Sequence, residues 1–148
     1  MALFTYIPSK VYIEISGYKV QGHVGVSVSL DSPSFRTLKG IRGQAVRVRD
    51  THTTGKLVIT LLQTSPTNDL FSDIVQQDIT WGTGRLTAVI KDESGSSLFF
   101  TDNAYLDGFP ALDFSMVAGT RVWTLNCLSI PTDQIVVGGN YKPALDLF

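Results

Sequence analysis

The residues suited to acid–base or nucleophilic chemistry are few in this chain, and they are scattered. Histidine is the commonest general base, and the sequence has only His23 and His52. His23 follows Gly22 at the head of an apolar alternation, a place for a bulge or turn. His52 sits in Asp50-Thr51-His52-Thr53-Thr54-Gly55, which reads as a solvated loop. Asp50 and His52 would need a serine to complete a hydrolase grouping, and no Gly-x-Ser-x-Gly elbow supplies one. The one cysteine, Cys127, lies in the apolar run Trp123-Thr124-Leu125-Asn126-Cys127-Leu128 and reads as a buried, inert thiol. Alone it forms neither an intramolecular disulfide nor a cysteine-based zinc cage. The acids lack the spacing of a calcium loop or zinc site, and Asp92-Glu93 and Asp102-Asn103 read as turn formers. Trp81-Gly82-Thr83-Gly84 and Gly138-Gly139-Asn140 carry no phosphate-cradle lysine. The expectation is a chain with no catalytic, cofactor-binding or metal-ligating residues, and so not an enzyme.

One charged segment stands apart. Pro33–Arg49 holds Arg36, Lys39, Arg42, Arg47 and Arg49, five of the chain's 12 basic residues, without an acid. It suits a solvated hairpin face, or a loop that docks on an acidic surface of another subunit, where complementary charge fixes register. Direct DNA binding would want aromatic platforms, and only Phe35 is close. Over the whole chain 12 bases meet 13 acids for a net charge of −1. That balance argues against a dedicated nucleic-acid binder and favours association. Hydrophobic residues make up 43% and charged ones 17%, so the surface is poor in charge.

The elements that position these residues are mostly strands. A length of 148 residues suits one domain, 1–148. Val11, Ile13 and Ile15 alternate with Tyr12 and Glu14 before a Ser16-Gly17 turn into Tyr18-Lys19-Val20. Val24, Val26, Val28 and Leu30 alternate with Gly25, Ser27 and Ser29, and Val46 and Val48 with Arg47 and Arg49. Further strands are predicted at Lys56–Gln63, Leu86–Lys91, Ser97–Thr101, Ala111–Met116 and Arg121–Leu128. Turn signals separate them at Thr54-Gly55, Asp92–Gly95, Asp107-Gly108 and Ala118-Gly119-Thr120. One segment has helical spacing: Leu70, Phe71, Ile74 and Val75 share a face after Ser65-Pro66, and Trp81–Gly84 ends it. The predicted fold is mainly β, a two-sheet antiparallel β-sandwich or barrel with one flanking α-helix at about residues 66–78.

Leu57, Ile59 and Leu61 point one way while Val58 and Leu62 point the other, so this strand needs cover on both faces. A second sheet or a neighbouring subunit would provide it. The start of the chain lacks the basic and long apolar regions of a signal peptide. No stretch nears the roughly 18 apolar residues that span a bilayer. A soluble protein made in a reducing cytosol, with no membrane anchor, is expected.

Several motifs together resemble the tail tube proteins of contractile-tailed bacteriophages. Thr60-Leu61-Leu62-Gln63-Thr64-Ser65-Pro66-Thr67-Asn68-Asp69 is similar to that family's strand-to-helix junction. Ile90-Lys91-Asp92-Glu93-Ser94-Gly95, Arg121-Val122-Trp123-Thr124-Leu125 and Val137-Gly138-Gly139-Asn140 follow in the family's order, and Pro8-Ser9-Lys10-Val11 and the glycines Gly17 and Gly22 precede them. The likeness spans roughly residues 8–140. The basic Pro33–Arg49 departs from it, since related subunits often place acids there.

The resemblance implies a homo-oligomer: hexameric rings stacked into a tube inside a contractile sheath, each subunit giving four strands to a barrel around the lumen. The same fold recurs in type VI secretion and bacteriocin tubes. It implies a virion location in the tail, assembly in the host cytoplasm, and sheath, baseplate and tail terminator proteins as partners. Double-stranded DNA would pass through without specific binding. A lumen must avoid a dense basic lining, so Ser27, Ser29 and Asp31 are the expected lumen-facing residues. Arg47 and Arg49 would be tolerable there only if paired with aspartates or turned to a subunit seam. The glycine-flanked stretch 31–43 is expected to be an inter-subunit loop, with Phe35, Arg36, Leu38, Lys39, Ile41 and Arg42 as its contact residues, and the chain's ends to form extended N- and C-terminal arms. The rival reading is a monomeric carbohydrate-binding module that stacks a sugar on Trp81, Tyr105 or Trp123.

Overall fold

A computed structural model describes residues 4–140. The terminal arms expected from the sequence lie partly outside them. Strands β1 (Val11–Ile15) and β2 (Tyr18–Lys19) form a tight hairpin whose turn residues, Ser16 and Gly17, both take positive φ, 50° and 86°. This turn geometry matches the twist of the strands it joins. Then follow β3 (His23–Leu30), β4 (Phe35–Lys39), β5 (Ala45–Arg49), β6 (His52–Leu62), helix α1 (Thr67–Trp81), β7 (Leu86–Asp92), β8 (Leu98–Leu106) and β9 (Thr120–Pro131). Seven strands make one sheet in the order β2-β1-β7-β8-β9-β6-β3, and β4 and β5 pair only with each other.

Strand β8 belongs to two layers. Its first half pairs with β7, from Lys91↔Leu98 to Ala88↔Thr101, with one further pair Leu86↔Ala104 past the shift, and its second half pairs with β9, from Asn103↔Ser129 to Leu106↔Leu125. Register shifts fall at Leu86/Ala88 and Asn103/Ala104, the bulges by which a strand turns the corner from one layer to the next. The Thr101 hydroxyl occupies that corner, fully buried, and donates to the Ser129 carbonyl at 2.8 Å. The layers β2-β1-β7-β8 and β8-β9-β6-β3 thus fold over one another. Five strand spacings separate β1 from β3 in the sheet order, about 24 Å if the sheet were flat, yet Val11 and Val28 line one cavity.

Alternate residues of the strands fill the space between layers. Ile13, Ile15, Leu57, Ile59, Leu61, Ala88, Leu125 and Cys127 are all at most 2% exposed. The helix adds Phe71 and Val75, and the Phe71 ring meets Trp123 edge-on at 5.4 Å. Trp123 Nε1 donates to Asn68 Oδ1 at 2.9 Å, so the buried indole is satisfied. The helix starts at Thr67, whose N–H is accepted by Ser65 Oγ at 3.2 Å. It stops where Gly82 turns left-handed at φ 69°, a conformation that favours glycine.

Five expectations need correcting. Ala111–Met116 is not a strand: residues 107–119 have no regular structure, Gly108 and Pro110 interrupt the run, and no strand lies alongside. Thr54-Gly55 is no turn but a bulge inside β6, where a Cβ on Gly55 would sit 2.5 Å from the Ser29 carbonyl oxygen and 2.8 Å from Ile130 Cδ1. Asp102-Asn103 lies within β8 at its register shift, and His52 opens β6 rather than lying in a loop. The stretch 31–43 is half strand, since Phe35–Lys39 is β4.

Replacing Thr101 by the isosteric Val leaves the part-buried Ser129 carbonyl without this donor. The expected loss is about 1–3 kcal/mol, read as a lower urea midpoint at unchanged slope, with Thr101→Ser recovering most of it. A valine variant as stable as the parent would remove the hydroxyl from this role.

Candidate assembly surface

The residues first considered for chemistry stay apart. The His52 ring lies 3.2 Å from Thr51 Oγ1, and Asp50 sits 4.0 Å from Arg36 Nε. Burial pushes the Cys127 thiol above its ordinary value, with Asp31 adding to the rise and a hydrogen bond with Thr101 opposing it. A thiol so held is a packing group rather than a nucleophile. Among the described residues no three His, Cys, Asp or Glu side chains gather as metal ligands. Trp123 is 2% exposed and cannot serve as a stacking platform, whereas Trp81 is 75% exposed at the helix end.

The surface has a different character. Strands β4 and β5 form a ribbon that leaves the sandwich at Asp31–Ser34 and returns at Asp50–Thr51, and nearly every residue of it is exposed. Antiparallel pairing puts directly opposed residues on one face. Phe35↔Arg49, Thr37↔Arg47 and Lys39↔Ala45 therefore share a face, and Arg36↔Val48 and Leu38↔Val46 share the other. The first face is basic, with the Arg47 guanidinium 4.7 Å from the Phe35 ring centre, an arrangement in which cation and aromatic ring attract. The second is apolar through Leu38, Val46 and Val48. Only Arg36 is paired there, in a half-exposed contact with Asp50 that contributes little. Ile41, wholly exposed, and Arg42 occupy the tip, where Gly43 takes φ 89° and donates to Gly40 O. The six contact residues expected from the sequence thus divide among a basic face (Phe35, Lys39), an apolar face (Arg36, Leu38) and a tip (Ile41, Arg42). Val46 and Val48 join the apolar face. The alternation of Val46 and Val48 with Arg47 and Arg49 was the signal for them.

Ser27 and Ser29 stand exposed on the outer face of β3, opposite Val58 and Lys56. Asp31 is not with them: it caps the end of β3, where it accepts from Thr54 Oγ1 at 2.7 Å. Further along the same outer face come Thr60, Leu62, Thr120, Val122, Thr124, Asn126 and Leu128 of β6 and β9. Lys56 is the one charged side chain in this set. Strand β3 pairs with β6 and with no other strand among the described residues, leaving an eight-residue edge without proline or lysine to block it. Sequence reading missed a third feature, the irregular 107–119 segment, where Phe109, Leu112, Phe114, Met116 and Val117 are all more than half exposed. The buried Arg121 lies 5.4 Å from the Phe114 ring centre.

No protein-family model matches the chain. It is 29% identical over 151 residues to structural protein ORF10 of Pseudomonas phage KPP10, a match covering 93% of this chain and 84% of that protein. In structure it is similar to a chain of the sheath–tube complex of the extracellular contractile injection system PVC, with TM-score 0.60 and 13% identity over 86% of this chain and 90% of the other. It is also similar to a chain of the sheath/tube terminator of that system, with TM-score 0.52 and 11% identity over 86% and 96%. The architecture is thus shared with contractile injection system chains, and the sequence relative is a phage structural protein, not an enzyme.

An unsupported two-stranded ribbon is marginally stable and opens easily to a protease. Trypsin added to the unassembled protein should therefore cut first at Lys39, Arg42, Arg47 and Arg49, leaving the β6–β9 core intact by mass spectrometry. Initial cleavage at Lys56 or Arg121 instead would show that the ribbon is held by its own domain.

Proposed function

We propose that this chain is a tail tube subunit: six copies form a ring, rings stack into a tube, and double-stranded DNA passes through the lumen during ejection. The observation that carries the reading is the layer β8-β9-β6-β3, four strands with a free β3 edge. An open edge of this length invites a strand from another chain, and joining layers edge to edge around a ring removes edges altogether. Six layers would give a barrel of roughly 24 strands, wider than the 16–18-stranded barrels that already enclose aqueous channels.

The outer face of this layer suits a lumen through which a polyanion slides. A protein that neutralises about 6–10 phosphates becomes a tight, salt-dependent binder. Across β3, β6 and β9 this face carries serines, threonines and short apolar side chains with Lys56 as the charge, and beside β8 the Asp107 carboxylate accepts from Asn126 Nδ2, so no dense basic lining forms. Ser27 and Ser29 are the lumen-facing residues of this reading, with Asp31 at the rim. Arg47 and Arg49 stand on the ribbon, away from that face, so they need no lumenal partners. The ribbon reaches to the next ring: its apolar face covers exposed apolar surface there, and its basic face meets acids. The phage relative and the injection-system folds support a place in a contractile tail, with sheath, baseplate and terminator proteins as neighbours.

Negative-stain electron microscopy over a range of concentrations tests the assembly, with six-fold rings or hollow tubes expected. A chain that remains monomeric up to its solubility limit, and is absent from purified tails, would overturn it. Phe35→Asp should block ring stacking while leaving the circular dichroism unchanged, and normal polymerisation would remove the ribbon's role. Ser27→Arg with Ser29→Arg should slow DNA release from otherwise intact particles; unaltered ejection kinetics would take those serines out of the lumen.

A further inference from the structure

The space between the two layers is not filled everywhere. At one end, a cavity of about 360 Å³ opens between β3 and the β7–β8 hairpin. Val26, Val28 and Leu30 line one side, Ile90 and Phe99 the other, and Val136 closes a third. Its wall is overwhelmingly apolar, yet Val28, Leu30 and Val136 are 37%, 44% and 46% exposed. A cavity of about 150 Å³ lined by such residues takes up a benzene-sized guest, so this one has room for roughly two large side chains.

The chain itself ends its described course at the mouth. After β9 it returns along β8, where Val136 and Leu98 exchange backbone hydrogen bonds at 2.8 and 2.9 Å. Gly138 N donates to Ser97 Oγ, which donates to the Gly138 carbonyl. Asn140 Nδ2 then donates to Asp92 Oδ2 at 2.9 Å and to Ser94 Oγ at 3.0 Å. Asp92 is itself a lining residue of the cavity. Burial tends to raise its carboxyl, but hydrogen bonds from Ser94 and Asn140 outweigh that and hold it below its ordinary value. Eight more residues follow, Tyr141-Lys142-Pro143-Ala144-Leu145-Asp146-Leu147-Phe148. Leu145 and Leu147 are spaced to share one face of an extended chain, with Asp146 on the other. At about 3.3 Å per residue, the five steps from Asn140 to Leu145 reach some 17 Å, enough to turn back over the opening.

We propose that this cavity is the seat of the chain's own residues 141–148, with Leu145 and Leu147 as the groups that fill it. The anchoring of Asn140 at the rim makes the insertion intramolecular, since a tethered segment faces its site at high effective concentration. The insertion goes beyond the tube reading and does not depend on it, because a single copy carries both seat and occupant.

Two measurements on the full chain test it. In the first, Leu145→Asp and Leu147→Asp are combined, and binding of an environment-sensitive apolar dye is compared with that of the unchanged chain. Dye emission should rise several-fold, and a synthetic peptide of residues 141–148 should suppress it saturably. Equal dye binding by the two chains, or failure of the peptide to compete, would overturn the proposal. In the second, Val28→Cys is paired with Leu147→Cys under mild oxidation, Cys127 being buried. A faster-migrating monomer on a non-reducing gel is expected. A cross-linked dimer would give the seat to a neighbour's tail, and no cross-link would leave it without this occupant; either result overturns the proposal.

Discussion

The structure depends on one strand serving two layers. Strand β8 pairs with β7 in its first half and with β9 in its second, and everything enclosed between the layers follows from that corner. A break in the ladder there exposes backbone groups in the driest part of the molecule, where an unpaired carbonyl is costly. The buried Thr101 hydroxyl supplies the donor that the ladder lacks. Cys127, one strand away, is buried in the core beside it. Once the corner is made, alternation decides the rest: one set of side chains on β6 and β9 becomes core, and the other is left outside without a covering sheet.

That uncovered set explains why the domain does not look self-sufficient. An antiparallel sheet with one wet face normally alternates apolar with polar. Here Val58, Leu62, Val122 and Leu128 share the outer face with hydroxyls and a single lysine. The β4–β5 ribbon takes the same trend further. It buries nothing against its own domain, since only Val48 is even partly covered. Two strands alone do not repay the entropy of ordering them. In the proposed tube the ribbon gains its third surface from another copy.

How much of this was legible in the sequence varied with the range of the interaction. The strands of the core, the Ser16-Gly17 turn and the helix from Leu70 to Val75 follow from period and turn chemistry, which are local. The helix ran three residues past its expected end because Ile79 and Trp81 lie exposed and give no amphipathic signal. Ala111–Met116 misled for a related reason: an apolar run bounded by turn signals has strand character until the neighbours that would pair with it prove absent. Gly55 looked like a turn because glycine also serves where another backbone passes close, and that neighbour, Ser29, is 26 positions away. Strand β4 was hidden because Phe35, Arg36, Thr37, Leu38 and Lys39 do not separate apolar from polar by parity. They separate only when β5 is laid opposite. The basic content of the segment could be read directly, but its division into a basic and an apolar face is a property of the pairing.

Charge gives the last step. A net charge of −1 suggests indifference, but the distribution is strongly polarised along the chain. Five bases and no acid lie between residues 33 and 49, while residues 92–120 hold Asp92, Glu93, Asp102, Asp107 and Asp113 without a base. Helix α1 adds Asp69, Asp73 and Asp78, again without a base. A monomer has no use for such segregation, since the ribbon projects from the domain and its one ion pair among the described residues is the weak contact of Arg36 with Asp50, outside these clusters. Between copies it has one. Apolar contact is non-directional and would allow the ribbon's Leu38, Val46 and Val48 to slide over a neighbour. Opposite charge at the rim penalises wrong registers and is weakened by salt. In the proposed tube, the near-neutral outer face of β3, β6 and β9 and the polarised remainder become two sides of one arrangement: charge is kept where copies would find one another and removed where a polyanion would pass.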